Sequence, residues 1–420
     1  MHFTIKPVSF TCNLDCAYCF YLPKGEEQGM LHKGIMSDEV LEAFIPRYIR
    51  DCPSDHVLFT WQGGEPLLAG RKFFEKAFAI QSQYAEGKVI ENAVQTNATL
   101  IDDQWCELFK KHKVLLGVSI DGPALLHDQY RKGRDGSGSH EQVVRGIELL
   151  KKHDIPFNTL TCISQSNCDH PLEVYNFLKE LGSTFMQFSE VVETAPENSD
   201  FDNIAPAYET RGFSIRPAAY GTFMSAIFNE WIEKDIGKIV VRQFESIISR
   251  TLGMGHHSCV FENRCPDNFV LEANGDIYEC DQAVYPRYRL ANILDIARAA
   301  DLKPLNCQVN GQSHAPQTES DQLYSLKPLK ASRLSAHKLN LSSDCSQCPY
   351  LQLCNGGCIK HRIDLTGGAP KTYFCEGYKI LFKAMVPYLN TMVYLEDNKA
   401  PYTAVKDLVP QIRASLAKGQ

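Results

Sequence analysis

The first half of the chain alternates short apolar runs with longer amphipathic stretches. Six β-rich runs predict strands, and five stretches with apolar residues three or four positions apart predict helices between them. The predicted strands are 3–9, 56–61, 89–95, 114–120, 156–162 and 184–190, and the predicted helices are 37–50, 71–84, 102–112, 139–153 and 169–181. Strands that alternate with helices favour a parallel sheet with crossover helices. We therefore predict an α/β fold with a partial (β/α)6 barrel of the TIM type, whose chemistry lies at the carboxyl ends of the strands.

The second half of the chain has a different pattern. Residues 217–253 and 377–416 are expected to be helical, and eight of the sixteen cysteines lie in tight groups between them, within 259–375. A polar stretch at about 303–342 predicts a surface insertion. The predicted domains are a barrel at 1–235, a cysteine-rich domain at 236–376 that contains the insertion, and C-terminal helices at 377–420.

Composition narrows the class of protein. The 420 residues are 44% hydrophobic, and the chain has a net charge of −7 and a pI of about 6.0. Nucleic-acid-binding domains usually carry a basic patch, so no nucleic-acid partner is expected. No apolar run is long enough to span a bilayer, and the first residues lack the design of a secretion signal, so no membrane partner and a cytoplasmic location are expected. Disulfide-rich proteins are typically small and secreted, so the cysteines indicate metal binding.

Three cysteines follow the first predicted strand with the spacing Cys12-x3-Cys16-x2-Cys19. Three thiolates can bind three irons of a [4Fe–4S] cluster and leave the fourth iron open, whereas an electron-carrying cluster normally has four cysteine ligands. The open iron indicates a binding position for a substrate or cofactor. A zinc site is the alternative, but zinc usually requires a fourth Cys or His at short spacing, and none is near.

Two further motifs fall at the ends of predicted strands. The sequence QGGEP at 62–66 follows the second strand, and its glycines allow backbone carbonyls to approach a ligand closely. Ser119 ends the fourth strand, and Arg131 follows in a loop where a guanidinium can pair with a carboxylate through two hydrogen bonds. An ordinary turn and a surface charge are the alternatives. With the triplet, these motifs resemble the radical S-adenosylmethionine (SAM) superfamily, in which SAM chelates the open iron and is cleaved to a 5′-deoxyadenosyl radical.

The cysteines of the second half form another pattern. Cys265 and Cys280 flank a glycine, and a group of four cysteines with short spacings precedes Cys375. These seven resemble the SPASM pattern of radical SAM enzymes that modify peptides, and Cys259 supplies an eighth thiol. Eight thiolates suit two fully ligated [4Fe–4S] clusters that conduct electrons. A zinc ribbon in the group of four is the alternative.

The resemblance becomes closer when the whole chain is considered. CNLDCAYCFY, WQGGEP, VQTNATLI, VSIDGP, YECD and CNGGC, in that order, resemble the anaerobic sulfatase-maturating enzymes, from about residue 4 to 390. Those enzymes oxidise a Cys or Ser of a sulfatase to Cα-formylglycine, and the resemblance implies SAM and three [4Fe–4S] clusters as cofactors. It assigns the SAM cluster to Cys12, Cys16 and Cys19, contacts with SAM to Tyr18, Gly64, Ser119, Arg131 and Val192, one auxiliary cluster to Cys259, Cys265, Cys280 and Cys358, and the other to Cys345, Cys348, Cys354 and Cys375.

The same resemblance implies roles in the reaction. Asp281 would accept a proton, and Gln62 and Tyr21 would line the peptide site. After hydrogen abstraction from the β-carbon, the substrate must lose a proton and an electron, and a base beside Cys280 would lie next to the electron acceptor. An Asp281 that only orders the Cys280 loop is the alternative. The expected partners are an unfolded sulfatase polypeptide or its motif peptide, and an electron donor such as flavodoxin or ferredoxin.

Two other functions remain open from the sequence. A radical SAM/SPASM maturase that crosslinks a small ribosomal peptide shares every cluster motif. An N-terminal peptide-binding domain would favour it, and Cys12 leaves no room for one. A non-catalytic iron–sulfur or zinc protein would not need QGGEP at 62–66, Ser119 and Arg131 around an open cluster.

Overall fold

The structure is a computed structural model that describes residues 1–26, 33–195, 209–255, 258–301, 325–363 and 371–418. Its strands are β1 His2–Ile5, β2 His56–Trp61, β3 Val89–Thr96, β4 Leu115–Ser119, β5 Phe157–Ile163, β6 Phe185–Glu190, β7 Thr194–Ala195, β8 Glu209–Thr210, β9 Val240–Val241, β10 Asn268–Leu271, β11 Asp276–Tyr278 and β12 Arg289–Asn292. Its helices are α1 Leu22–Glu26, α2 Asp38–Asp51, α3 Arg71–Gln83, α4 Asp103–His112, α5 Ala124–His127, α6 His140–Lys152, α7 Pro171–Glu180, α8 Pro217–Lys234, α9 Arg242–Thr251, α10 Ile293–Asp301, α11 Ser332–Leu339, α12 Ser343–Ser346, α13 Leu351–Cys354, α14 Cys375–Asp397 and α15 Val409–Lys418.

One sheet of ten strands organises the molecule, in the order β12-β11-β10-β1-β2-β3-β4-β5-β6-β9. Strands β1 to β6 are parallel neighbours joined by crossover connections that contain the predicted helices. This arrangement confirms the predicted α/β fold with a partial barrel. Because the strands are parallel, their carboxyl ends meet at one edge, where the motifs predicted from sequence also lie.

Local sequence explains where the helices begin. The side chain of Ser37 accepts a hydrogen bond from the backbone of Val40 at 3.3 Å, and Asp38 lies in the first turn of α2. Asp102 caps α4 in the same way, accepting from the backbone of Trp105 at 2.8 Å. Such caps satisfy N–H groups that have no partner within the helix. The buried faces of these helices then pack on the sheet.

The first strand is shorter than predicted. It ends at Ile5 rather than at residue 9, and the chain turns so that the backbone N–H of Ser9 donates to the carbonyl of Lys6 at 3.3 Å. Ser9 has a left-handed conformation with a φ of 52°, which a strand does not tolerate. The turn directs residues 6–21, with the cysteine triplet, over the carboxyl edge of the sheet.

The cysteine-rich region extends the barrel sheet. Strand β10 pairs in parallel with β1, from His2 opposite Asn268 to Ile5 opposite Leu271, and β11 and β12 continue antiparallel. The ends of β1 and β10 are therefore neighbours, and an ion pair between Lys6, just after β1, and Asp281 brings the segment that contains Cys280 beside the barrel mouth. The division at residue 235 remains a prediction, since the two regions share one sheet.

The polar stretch at 303–342 is partly folded into the core. Residues 302–324 lie outside the described residues. The remainder contains α11, and Leu326, Leu334 and Lys338 are each at most 1% exposed. The predicted surface insertion is therefore wrong for 325–342, because apolar positions within this mostly polar segment pack inward.

The last long helix lies directly against α8. A side chain at Gly221 or Gly377 would clash with the backbone of the other helix, so the two glycines permit close approach. This contact fixes the start of α14, where Cys375 lies. Among the helices that the structure describes, none is both long enough and apolar enough to cross a membrane.

Candidate active site

The cysteine triplet lies in the loop after β1 and is held by its neighbours. Backbone N–H groups of Leu14 and Leu22 donate to the sulfurs of Cys12 and Cys19 at 3.4 and 3.3 Å. Burial, with a smaller contribution from the charges of other triplet thiols, raises the pKa of Cys12 and Cys16 to about 12. Three half-buried thiols lie together in this loop, and two of them accept backbone N–H bonds, an arrangement that fits a bound cation such as cluster iron.

The QGGEP turn, residues 62–66, ties this loop to the sheet. A Cβ at Gly64, which has a φ of 51°, would clash with the carbonyl of Thr11, so only glycine fits this close approach. The buried carboxylate of Glu65 accepts hydrogen bonds from the hydroxyl of Thr96 and the backbone of Asn97, each at 2.8 Å. Burial raises the pKa of Glu65 to about 7, while these donors act in the opposite direction. The turn therefore joins β2, β3 and the cysteine loop in one unit.

Tyr18 and Arg131 both donate hydrogen bonds to the carboxylate of Asp121, a residue to which the sequence pattern assigned no role. Asp121 accepts a hydrogen bond from the Tyr18 hydroxyl and another from Arg131 Nε at 2.8 Å. The Arg131 guanidinium also lies 5.5 Å from the centroid of the Tyr18 ring. His127 Nδ1 accepts from the backbone of Asp121 at 3.2 Å, so this buried group is fixed from several sides. The expected surface-charge alternative for Arg131 is wrong, because the residue is buried.

The remaining expected SAM contacts and one peptide contact lie at the same edge. Ser119, at the end of β4, accepts from Gln95 Nε2 at 2.9 Å. Val192 is buried just beyond β6. Gln62 follows β2 directly, and its backbone N–H donates to the carbonyl of Ile5 at 2.9 Å. The strand ends thus bring these residues to the mouth above the cysteine loop.

A buried ionic group connects β1 with the segment after β11. Lys6 forms an ion pair with Asp281, whose side chain is 22% exposed, whereas that of Lys6 is only 1% exposed. The Tyr21 hydroxyl donates to Glu272, which also accepts from Ser9 Oγ at 2.8 Å. Lys6 Nζ lies 4.4 Å from the Tyr21 ring centroid. Asp281 and Tyr21, both expected near the substrate, are therefore neighbours through Lys6.

The eight C-terminal cysteines separate into two groups of four. Cys259, Cys265 and Cys280 each have their pKa raised by burial and further by the charge of Cys358, which marks these four as neighbours. They come from the turn at 259–261, the loop after it, the end of β11 and the residue before the turn at 359–361. The first group adjoins Asp281.

The second group lines one cavity. Cys345, Cys348, Cys354 and Cys375 all border it, together with Tyr378, Phe382 and Thr372. Burial raises the pKa of Cys354 to about 12, and the charges of Cys375 and Cys345 add to this. The hydroxyl of Thr372 is buried and has no hydrogen-bond partner among the described residues. A cavity bordered by four thiols fits a cluster with four cysteine ligands.

These groups differ from a site for a single metal ion. In the six described ranges, no three His, Cys, Asp or Glu side chains converge on one ion position. A structural zinc site places four ligands around one ion at Zn–S distances of about 2.3 Å.

Three important residues of the site were missed from the sequence. Asp121 lies within the SIDGP motif, and its place directly after a strand end was a usable signal. Lys6 and Glu272 follow apolar strands in the same way, but their partners lie 275 and 251 residues away. Only the pairing of β1 with β10 brings them together.

Comparisons with known proteins agree with this geometry. Residues 7–178 match the model of the radical SAM superfamily. A serine-type anaerobic sulfatase-maturating enzyme of Bacteroides thetaiotaomicron is 36% identical over 97% of this chain and 95% of its own. A cysteine-type anaerobic sulfatase-maturating enzyme of Clostridium perfringens is 32% identical over 92% of this chain and 96% of its own. A solved structure, native anSMEcpe with bound AdoMet and Cp18Cys peptide, has a TM-score of 0.75 and 30% identity, covering 94% of this chain and 98% of that one.

Proposed function

Because this chain belongs to the anaerobic sulfatase-maturating enzymes of the radical SAM superfamily, we propose that it oxidises a Cys or Ser side chain of a sulfatase to Cα-formylglycine. Relatives of both the serine type and the cysteine type are similar to the whole chain. The substrate is an unfolded sulfatase polypeptide or its motif peptide, in line with the peptide bound in a similar solved structure.

The residues of the barrel mouth would bind the cofactors. Cys12, Cys16 and Cys19 would hold the first [4Fe–4S] cluster. With SAM bound, that cluster supplies the 5′-deoxyadenosyl radical that removes a hydrogen atom from the β-carbon of the target residue. The backbone at Gly64 would approach the SAM ammonium, and Ser119 would donate to its carboxylate or ribose. Arg131, held by Asp121 at 2.8 Å, places a fixed positive charge on the same side.

Asp281 would take the proton that the substrate heteroatom loses. A carboxylate can act as a general base when it lies within hydrogen-bond reach of that proton. Lys6, paired with Asp281, orients the carboxylate. Tyr21 and Gln62 would line the peptide site beside it. The electron would leave through the two groups of four cysteines, which would hold auxiliary [4Fe–4S] clusters, and a flavodoxin or ferredoxin would supply the reducing electron.

One observation carries this proposal. Asp281 is covalently next to Cys280 and is held by a lysine at the end of β1, the strand that leads into the cysteine triplet. A base at this position would lie between the source of the radical and the first auxiliary group. A protein that only transfers electrons has no use for a fixed carboxylate there.

The test is an anaerobic incubation of the iron-reconstituted protein with SAM, dithionite and two peptides, C-x-P-x-R and S-x-P-x-R. The proposal requires that the Ser peptide loses two hydrogen atoms. Alternatively, the Cys peptide must lose one sulfur and two hydrogen atoms and gain one oxygen atom. The masses of the peptides and the yield of deoxyadenosine are measured together. Deoxyadenosine without any peptide change would reject formylglycine formation on these motifs and leave the peptide-crosslinking alternative. No deoxyadenosine from protein with roughly twelve irons bound would reject radical catalysis itself.

A further inference from the structure

Lys338 is a buried cation that points at the first auxiliary group. It lies in α11 and is 1% exposed. Its Nζ donates to the backbone carbonyls of Cys259 and Val260 at 2.6 and 3.0 Å. Within the part of the chain that the structure describes, no carboxylate pairs with it. A buried ammonium without an acid partner is costly, so its charge needs another source of compensation.

Arg362 is a second buried cation in the same place. It follows the CNGGC turn, and its guanidinium donates to the backbone carbonyls of Gly356, His337, Asn340 and Lys338 at 2.8–3.4 Å. These bonds cap the end of α11, which accounts for the position of Arg362 but not for its charge. The described residues again provide no carboxylate partner, because all four acceptors are neutral carbonyls.

Both cations lie close enough to cysteines of the two groups to interact with them electrostatically. Burial raises the pKa of Cys259 and Cys265, and the charge of Lys338 opposes this rise, while Arg362 is influenced by Cys265 and Cys358 of the first group. Arg362 is also influenced by Cys345 and Cys354 of the second group, so it lies between the two. Two carboxylates flank Cys280, and both have partners: Asp281 is paired with Lys6, and the buried Glu279 accepts a hydrogen bond from the backbone of Leu334 at 3.1 Å. Lys338 and Arg362 are therefore cations that act at the first group alongside these partnered acids.

A cluster held by four thiolates is an anion, and reduction adds another negative charge. Nearby charge is one of the factors that sets its potential. In a buried site with little water, a single positive charge acts strongly on a neighbouring charge change. A cation favours the reduced form because the added charge is attracted to it.

We infer that Lys338, supported by Arg362, raises the reduction potential of the auxiliary cluster on Cys259, Cys265, Cys280 and Cys358, and so makes it an acceptor for the electron released by the substrate. This inference rests on the proposed function only for the origin of the electron. In that step the substrate carbon radical loses one electron and one proton. The electron reduces the cluster by one unit, and the proton goes to Asp281. Lys338 and Arg362 keep their own protons throughout.

The test is a redox titration of the complete, iron-reconstituted enzyme without peptide, followed by electron paramagnetic resonance. The resonance signal of the cluster on Cys12, Cys16 and Cys19 is distinguished from those of the auxiliary clusters because only it is expected to change when SAM is added. The variant Lys338→Met removes the charge, and Lys338→Gln removes it while keeping a donor for the Cys259 carbonyl. We expect both to lower the reduction equilibrium constant of one auxiliary cluster at least tenfold, which is about 59 mV for a one-electron couple.

Two controls distinguish charge from packing. Lys338→Arg keeps the charge and is expected to stay within threefold of the parent enzyme. Lys330→Met removes a lysine whose side chain is 65% exposed, and it is expected to leave all potentials unchanged. Arg362→Gln is expected to shift both auxiliary clusters, because the residue lies between the two groups.

The outcomes are decisive in either direction. Unchanged potentials in Lys338→Met and Lys338→Gln with full iron content would overturn the inference. A shift in Lys338→Met alone would assign the effect to the lost hydrogen bond and would also overturn it. Loss of auxiliary iron from both neutral variants would show a purely structural lysine. Because no peptide is present, the potentials are independent of formylglycine formation, and a failure of the proposed function would be seen only in the peptide assay.

Discussion

Replacing Asp281 with asparagine should separate radical generation from product formation. Asparagine has a similar shape but cannot accept a proton as a carboxylate does. Proposed SAM contacts lie on the cysteine triplet and the QGGEP turn, whereas Asp281 forms its ion pair with Lys6, which is not one of the proposed SAM contacts. We therefore expect deoxyadenosine formation to remain within tenfold of the parent, while formylglycine yield falls by about 10²–10⁴, the range of general base catalysis.

The substitution also has a cost in stability, which follows from Lys6. That lysine is almost fully buried, and removal of one partner of a buried ion pair costs about 3–5 kcal/mol. The lower end applies here, because Glu272 lies nearby and the Tyr21 ring is 4.4 Å from Lys6 Nζ. A double variant, Lys6→Met with Asp281→Asn, has no unpaired ammonium. It should recover most of the lost free energy of unfolding without recovering product.

The assay counts deoxyadenosine and formylglycine in the same anaerobic reaction and measures iron content beforehand. Glu272→Gln is the matched control, since it changes another buried carboxylate near Tyr21 that is not next to a cluster ligand. We expect its ratio of product to deoxyadenosine to equal that of the parent enzyme. Full product formation by Asp281→Asn, with normal iron content, would remove Asp281 from the proton transfer and refute the reasoning.

Three further outcomes are expected. Cys12→Ala should abolish SAM cleavage and lower bound iron from roughly twelve to roughly eight atoms; unchanged deoxyadenosine production would contradict the cluster assignment. Gly64→Ala should weaken SAM binding at least tenfold, measured by equilibrium dialysis, because its Cβ would clash with Thr11, whereas Gly70→Ala has a comparable positive φ with open space around it and should bind SAM normally. Burial lowers the pKa of His127 to about 4 from 6.5, so the unfolded chain is protonated first as the pH falls, and stability is lost between about pH 6.5 and about pH 4. Between pH 7 and pH 5 the loss from this residue is about 2 kcal/mol, and denaturant titrations of His127→Gln should lack it; an equal pH dependence in parent and variant would exclude His127 as the source.

The local patterns of this sequence were sufficient for most of the fold. Predicted strand 56–61 and predicted helix 71–84 match β2 and α3 to within one residue, because apolar periodicity and nearby caps act within a few residues of chain. The cysteine spacings pointed to metal binding, but the division of the C-terminal cysteines into two groups came from the family resemblance, since Cys358 lies far along the chain from Cys259. The sequence failed at 325–342, where a few buried positions among many polar ones decide the structure.

The sequence by itself determined the order of strands and helices, the three groups of cysteines and the resemblance that assigns their roles. Only the tertiary structure decided which charges act on them. Lys6 meets Asp281 across 275 residues, and Tyr18 meets Asp121 across 103. Lys338 reaches Cys259 from a helix that the sequence assigned to a surface insertion. These contacts depend on which strands pair and which faces are buried, and desolvation gives them their strength, so no local pattern in the chain predicts them.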